Sequence, residues 1–253
     1  MASLDEVAAA NAANYAGRAE SFARWADGSQ VASAITARGM FIRHLPPRHS
    51  TADDPLRILD LGCGNGRDLA VFAGSDRNRH MIKVVGIDAC EAFCEMARRR
   101  VPGARVVCAS MTDTTGLRGV LGLGEADGAP FHGVFSLCSL FHVPRRALPA
   151  LFADVFSLLA PGGIFFATFP SDEKATDHRG DDGRWHTSLP MKELVALLVG
   201  AGFEVDAGAC FPKALEMYNG TWDAVVARRA PPPSQHPPGT RLMHRDTSFD
   251  YSG

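Results

Sequence analysis

Long apolar runs, surplus positive charge and paired cysteines are all missing from this 253-residue chain, and each absence removes a class of function. No stretch approaches the roughly 20 apolar residues needed to span a bilayer. The opening segment, MASLDEVAAANAANY, carries acids where a secretory leader needs positive charge, and it lacks a continuous apolar centre. The chain therefore reads as cytoplasmic, with no membrane partner. Lys and Arg number 26 against 28 Asp and Glu, a formal net charge of -2. A nucleic-acid binder shows a basic surplus or a basic stripe, so no nucleic-acid partner is expected. The one dense basic run, Arg98-Arg99-Arg100, closes a predicted helix, where cations suit the negative end of the dipole. The six cysteines (Cys63, Cys90, Cys94, Cys108, Cys138 and Cys210) form no C-x-x-C pair. Cys90 and Cys94 lie one helical turn apart, but a structural zinc site wants four ligands. No metal is expected, and free thiols in that number suit a reducing compartment.

What is present is an alternation of patterns. Residues 4–45 place Phe22, Trp25, Val31, Ile35, Phe41 and Ile42 at mostly helical spacing, which predicts two helices broken near Asp27-Gly28-Ser29. Strand-like runs follow at 56–61, 82–88, 104–108, 132–138 and 163–169. Helix-like segments lie between them at 67–75, 91–101, 145–159 and, more weakly, 114–121. That alternation implies βαβ units and a mainly parallel sheet. A helix at 190–200 precedes strands at 203–211 and 221–228, an expected hairpin with a long connection. Residues 230–253 open Ala-Pro-Pro-Pro-Ser-Gln-His-Pro-Pro-Gly, show no apolar period, and read as a disordered tail.

The most informative stretch is Ile58-Leu59-Asp60-Leu61-Gly62-Cys63-Gly64-Asn65-Gly66-Arg67: strand, glycine turn, helix start. Glycines let a backbone take positive φ and approach a ligand closely. A dinucleotide site reads G-x-G-x-x-G, whereas here Arg67 occupies its third glycine position. Asp60, ahead of the turn, would repel a pyrophosphate and attract an ammonium group. Asp88 ends the next strand, 22 positions after Gly66, where an acid can accept hydrogen bonds from ribose hydroxyls.

These residues resemble the class I S-adenosylmethionine-dependent methyltransferases, whose signature D/E-x-G-x-G-x-G is matched by Asp60 through Gly66. Asn14-Tyr15, Phe22, Leu140 to Arg145, Leu159 to Gly163 and Asp182-Gly183-Arg184-Trp185 look like the tellurite-resistance and UbiE-like small-molecule subgroup. The resemblance implies an α/β, Rossmann-like, doubly wound fold. Its seven-stranded sheet would be mainly parallel with an antiparallel last strand, and N-terminal helices would cap it. It divides the chain into cap helices (1–45), an S-adenosylmethionine-binding domain (46–229) and the tail (230–253). It implies S-adenosyl-L-methionine as cofactor. Asp60 and the backbone of Gly62, Cys63, Gly64, Asn65 and Gly66 would hold the methionine part, with Tyr15 nearby. Asp88 and its neighbour Ala89 would meet the ribose, and Ser110-Met111 would border the adenine.

The fourth strand ends Ser136-Leu137-Cys138-Ser139-Leu140-Phe141-His142, at the sheet edge where such folds bind ligands. Cys138 and Ser139 are therefore expected beside the cofactor, and Phe141 and His142 beside a small-molecule acceptor. His142 is a candidate general base or a histidine that merely packs. Residues 170–188 read as a long polar loop of the kind that serves as a lid. There Arg179 and Arg184 are candidates to clamp an acceptor carboxylate, and Trp185 to exclude water, unless the arginines pair with Asp177, Asp181 and Asp182 instead. Phe211, Lys213, Tyr218 and Trp222 could complete the pocket or belong to the core.

Overall fold

Leu56–Leu61 forms β1, an apolar strand that becomes fully buried toward its carboxyl end. It pairs in parallel with β2 (Ile82–Asp88) on one side and β4 (Phe131–Ser136) on the other. The computed structural model describes residues 2–29, 31–47, 50–74, 81–123, 130–217 and 220–231. With β3 (Arg105–Cys108), β5 (Leu159–Pro170), β8 (Cys210–Met217) and β9 (Gly220–Arg228), the sheet has seven strands in the order β3-β2-β1-β4-β5-β9-β8. Strand β9 alone runs against its neighbours β5 and β8. The expected fold class is thus the observed one.

Helices cover both faces. Phe165 and Phe166 are adjacent in β5, so their side chains point to opposite faces. Phe166 stacks on Phe135 at 5.1 Å and lies 6.5 Å from Phe41 of α3 (Val31–His44). Phe165 meets Phe152 of α7 (Leu148–Leu158) at 5.8 Å. The first face also carries α4 (Arg67–Phe72), whose Phe72 sits 5.2 Å from Phe41. Helix α5 (Glu91–Arg100) packs against α4 and strands β2 and β3, while α6 (Gly116–Val120) and α8 (Met191–Gly200) flank α7.

The amino end departs from expectation. It holds three helices, because α1 (Leu4–Ala16) and α2 (Ala19–Ser29) are separated at Gly17-Arg18 before α3 begins. The first helix starts at a capping box in which Ser3 and Glu6 satisfy each other's backbone amides at 3.1 and 2.7 Å. The region from 170 to 188 is not a plain loop: Thr176–Arg179 (β6) and Trp185–Ser188 (β7) form a separate antiparallel hairpin. The strand expected from 203 begins only at Cys210. Phe203 supplies the apolar signal by packing on Phe156 at 5.2 Å, and a 3-10 turn at Ala207–Ala209 intervenes. The hairpin from β8 to β9 is short, not long. Tyr218 and residues 232–253, which hold nearly all of the expected tail, lie outside the described residues.

Candidate active site

Between β1 and α4 the chain must turn sharply under a helix and still leave room above it. Gly66 (φ 78°) does the first: a Cβ there would come within 2.8 Å of Ala97 Cα in α5. Gly64 (φ 52°) does the second, since a Cβ there meets nothing within 4 Å. Gly62 lies against Ser139 at the end of β4. Asn65 Oδ1 accepts from the amide of Arg67, the first residue of α4, at 3.3 Å.

Asp88 reaches this turn from the tip of β2. Its carboxylate accepts from the Gly64 amide and the Cys90 amide, both at 2.9 Å. Burial pushes its pKa up, and those two amides pull against the shift. One rotatable acid therefore holds the glycine turn and the start of α5 in fixed relation. On the other side, Ser136 and Ser139 hydroxyls donate to the Leu61 carbonyl at 2.9 and 2.6 Å, locking the end of β4 to β1. Cys138 takes a left-handed backbone (φ 53°) with its amide donated to Thr168 Oγ1 at 2.9 Å. Such strain in a non-glycine residue is held only where surroundings enforce it.

These ends open on one cavity of about 1190 Å³, its mouth included. Tyr15, Gly62, Cys63, Gly64, Asn65, Asp88, Ala89, Ser110, Met111, Cys138, Ser139 and His142 all line it. The carboxyl rim of a doubly wound parallel sheet, with a glycine turn and an acid at adjacent strand tips, decides the architecture. This is a Rossmann-like, doubly wound fold.

The comparisons agree. Residues 58–163 match the family model of a methyltransferase domain. The chain is 24% identical over 177 residues to the trans-aconitate 2-methyltransferase of Azoarcus sp., covering 69% of this chain and 64% of that protein. The chain thus spans less than two thirds of that relative's length. Among solved structures, the 1,6-didemethyltoxoflavin-N1-methyltransferase of Burkholderia thailandensis, bound to its heterocycle and S-adenosylhomocysteine, superposes with a TM-score of 0.65 at 22% identity, covering 91% and 92% of the two chains. A TehB-like methyltransferase from Corynebacterium glutamicum superposes with a TM-score of 0.53 at 17% identity, covering 84% and 98%.

Within this fold, several expected site residues sit elsewhere. Asp60 is 2% exposed and absent from the cavity wall; burial first, then Asp68, raises its pKa well above the carboxylate range. Gly66 is taken up by packing on α5. Phe141 turns inward, its ring 5.1 Å from Trp222, which is itself core. Arg179, Arg184 and Trp185 do not line the cavity. Arg179 Nε donates to the Gly183 carbonyl at 2.8 Å, and the Trp185 indole donates to Asp177 at 2.5 Å, both inside the β6-β7 hairpin. Arg184 is paired to Asp182, with Nε 2.7 Å from Oδ2, and its Nη1 donates to the Tyr15 hydroxyl at 2.5 Å. Of the pocket candidates near the last strands, Phe211, Lys213 and Trp222 do not line the cavity either.

The hairpin instead fastens α1 over the cavity. Asn14 Nδ2 donates to the Asp182 carbonyl at 2.5 Å, and Asn11 Oδ1 accepts from the Trp185 amide at 2.8 Å. His142 Nδ1 donates to the Trp185 carbonyl at 2.8 Å, which leaves Nε2 as the acceptor facing the Tyr15 hydroxyl at 2.8 Å. Burial lowers the His142 pKa to about 3 and raises that of Tyr15 to about 12. This histidine is neutral and both its nitrogens are engaged, so it is not placed as a free base.

Sequence reasoning missed Asn11, Phe93, Arg67, Asp68, Thr112 and Met217 in the cavity wall. Asn11 and Tyr15 are four apart, hence on one helix face, a signal that was available. Arg67 was noticed only as a missing glycine. Near Met217 the sequence offers Lys213, Tyr218 and Trp222 as pocket candidates, and the methionine between them carries no signal of its own.

Proposed function

We propose that this chain transfers a methyl group from S-adenosylmethionine to a small molecule. The observation that carries the reading is a single cavity lined together by the open Gly64 turn, Asp88, Tyr15 and His142. The residues present suit the cofactor. Two buried side-chain polar atoms among the described residues lack a hydrogen-bond partner, Asp60 Oδ2 and Arg67 Nε, and both flank the glycine turn. Arg67 lines the cavity beside the turn and its unpartnered Nε suits the carboxylate of an amino-acid end, whereas Asp60, sealed from the cavity, takes no part. Asp88 has lone pairs to spare for ribose hydroxyls, and Ser110, Met111, Cys90 and Phe93 offer the walls an adenine needs.

The cofactor supplies an activated methyl on a sulfonium. The protein's part is to orient it, exclude water and align the acceptor, which provides most of the rate gain in a direct displacement. The cap (1–45) closes one side and the domain at 46–229 provides the rest. The class of acceptor is supported by relatives and structural neighbours named for small-molecule methylation. No helix among the described residues is long and apolar enough to cross a membrane. With near-neutral charge, this supports a cytoplasmic setting and no nucleic-acid partner.

Titration calorimetry with S-adenosylmethionine and S-adenosylhomocysteine tests the reading. Micromolar binding of both is the expected result; binding of neither would reject it.

A further inference from the structure

We infer that the methyl acceptor is an uncharged, predominantly apolar molecule and not a carboxylic acid; this rests on the methyltransferase reading above. Beyond the residues of the glycine turn, the cavity is also lined by Val7, Ala8 and Ala12 of α1, Val143 and Pro144 after β4, and Met217 at the end of β8. Beside these apolar residues stand Asn11, Tyr15 and His142, and each is already engaged inside the protein. Asn11 Nδ2 donates to the His142 carbonyl at 3.1 Å while its Oδ1 accepts from the Trp185 amide. Tyr15 bridges Arg184 and His142, and both ring nitrogens of His142 are used.

The wall's cation belongs to the cofactor end, where only its Nε lacks a partner. Arg67 is the one Lys or Arg among the described residues of the cavity wall. It stands at the glycine turn, where its Nη1 donates to the Ala26 carbonyl at 3.0 Å and its Nη2 to Asp68 at 3.0 Å. The two arginines that the sequence offers for a carboxylate are outside the cavity and already paired in the hairpin.

A carboxylate entering this chamber would lose water and find no counter-ion, and a buried charge without one is strongly disfavoured. A polycarboxylate, such as the aconitate for which the sequence relatives are named, repeats that cost at each acid. A neutral ring or chain meets aliphatic and thioether walls whose polar neighbours are satisfied, so its burial is favourable. With no free base in the wall, the acceptor must bring an available lone pair, as on a heteroaromatic nitrogen. That pair forms the bond to the methyl carbon while the carbon–sulfur pair leaves with sulfur as a neutral thioether. A proton on the acceptor, where there is one, passes to water.

The test first titrates S-adenosylhomocysteine into the full chain; absence of binding would overturn the methyltransferase reading itself. At saturating S-adenosylhomocysteine, quinoline is then compared with quinoline-4-carboxylate, and indole with indole-3-carboxylate. In parallel, trans-aconitate is incubated with methyl-labelled cofactor. The expected result is at least tenfold tighter binding of the neutral member of each pair and no label in aconitate. Equal or tighter binding of the acids, binding of neither class, or labelled aconitate would each overturn the inference.

Discussion

The Tyr15 hydroxyl lies 2.8 Å from His142 Nε2, so two residues 127 positions apart meet across one hydrogen bond at the cavity wall. Because His142 Nδ1 faces a carbonyl, the proton in that bond belongs to the tyrosine, whose oxygen also accepts from Arg184. The first helix, the end of the fourth strand and the hairpin are thereby joined through a single oxygen.

Tyr15→Phe removes that oxygen and leaves Arg184 Nη1 and His142 Nε2 short of a partner. A loss of about 1–3 kcal/mol is expected, the cost of unsatisfied buried polar groups. Urea unfolding at neutral pH measures it. Stability equal to the parent chain would mean the hydroxyl is not the joint described.

His142 predicts a pH dependence. Its folded-state pKa is near 3, below the ordinary 6.5, so the unfolded chain binds a proton that the folded chain refuses. Its contribution is full above pH 6.5 and is lost progressively as pH falls toward 3, at up to about 1.4 kcal/mol per pH unit. Comparing unfolding midpoints at pH 7 and 5.5 for the parent and His142→Gln isolates this effect. The variant should lose less stability on acidification; an identical loss would exclude His142 as its source.

The glycine turn predicts a separation of effects. Gly66→Ala forces a methyl against the α5 backbone at positive φ and should cost about 2–4 kcal/mol of stability. Gly64→Ala meets open space, so it should cost only about 1 kcal/mol but project into the cavity and weaken S-adenosylhomocysteine binding tenfold or more. Thermal melts and calorimetry on both variants decide it. Equal stability losses with unchanged affinity for Gly64→Ala would contradict the division.

Asp88→Ala should lower cofactor affinity by about 1–3 kcal/mol through lost charge-assisted hydrogen bonds. Calorimetric titration reads this directly. Retained affinity would remove Asp88 from the ribose.

The sheet and the glycine turn were legible in sequence because local pattern encodes them. Leu56–Leu61 is an uninterrupted buried strand that ends in the turn itself, and Asp88 closes the next strand. The cavity's roof was not legible in the same way. Arg184 could pair with a ligand or with Asp182, and only three-dimensional packing selects Asp182. Phe203 looked like the start of a strand because apolar spacing cannot separate a strand residue from a single core anchor. Asp60 matched its motif, yet spacing along the chain does not report whether a side chain faces a cavity or is sealed beside it.

The first helix and the small hairpin are not strands of the seven-stranded sheet, and they are bound to each other by a few directed polar contacts. On the proposed reading, part of the wall that would meet an acceptor is thus written in stretches of polypeptide other than the strand tips. Side chains along residues 4–16 can be exchanged, or Arg184 re-aimed by loss of Asp182, without disturbing those tips.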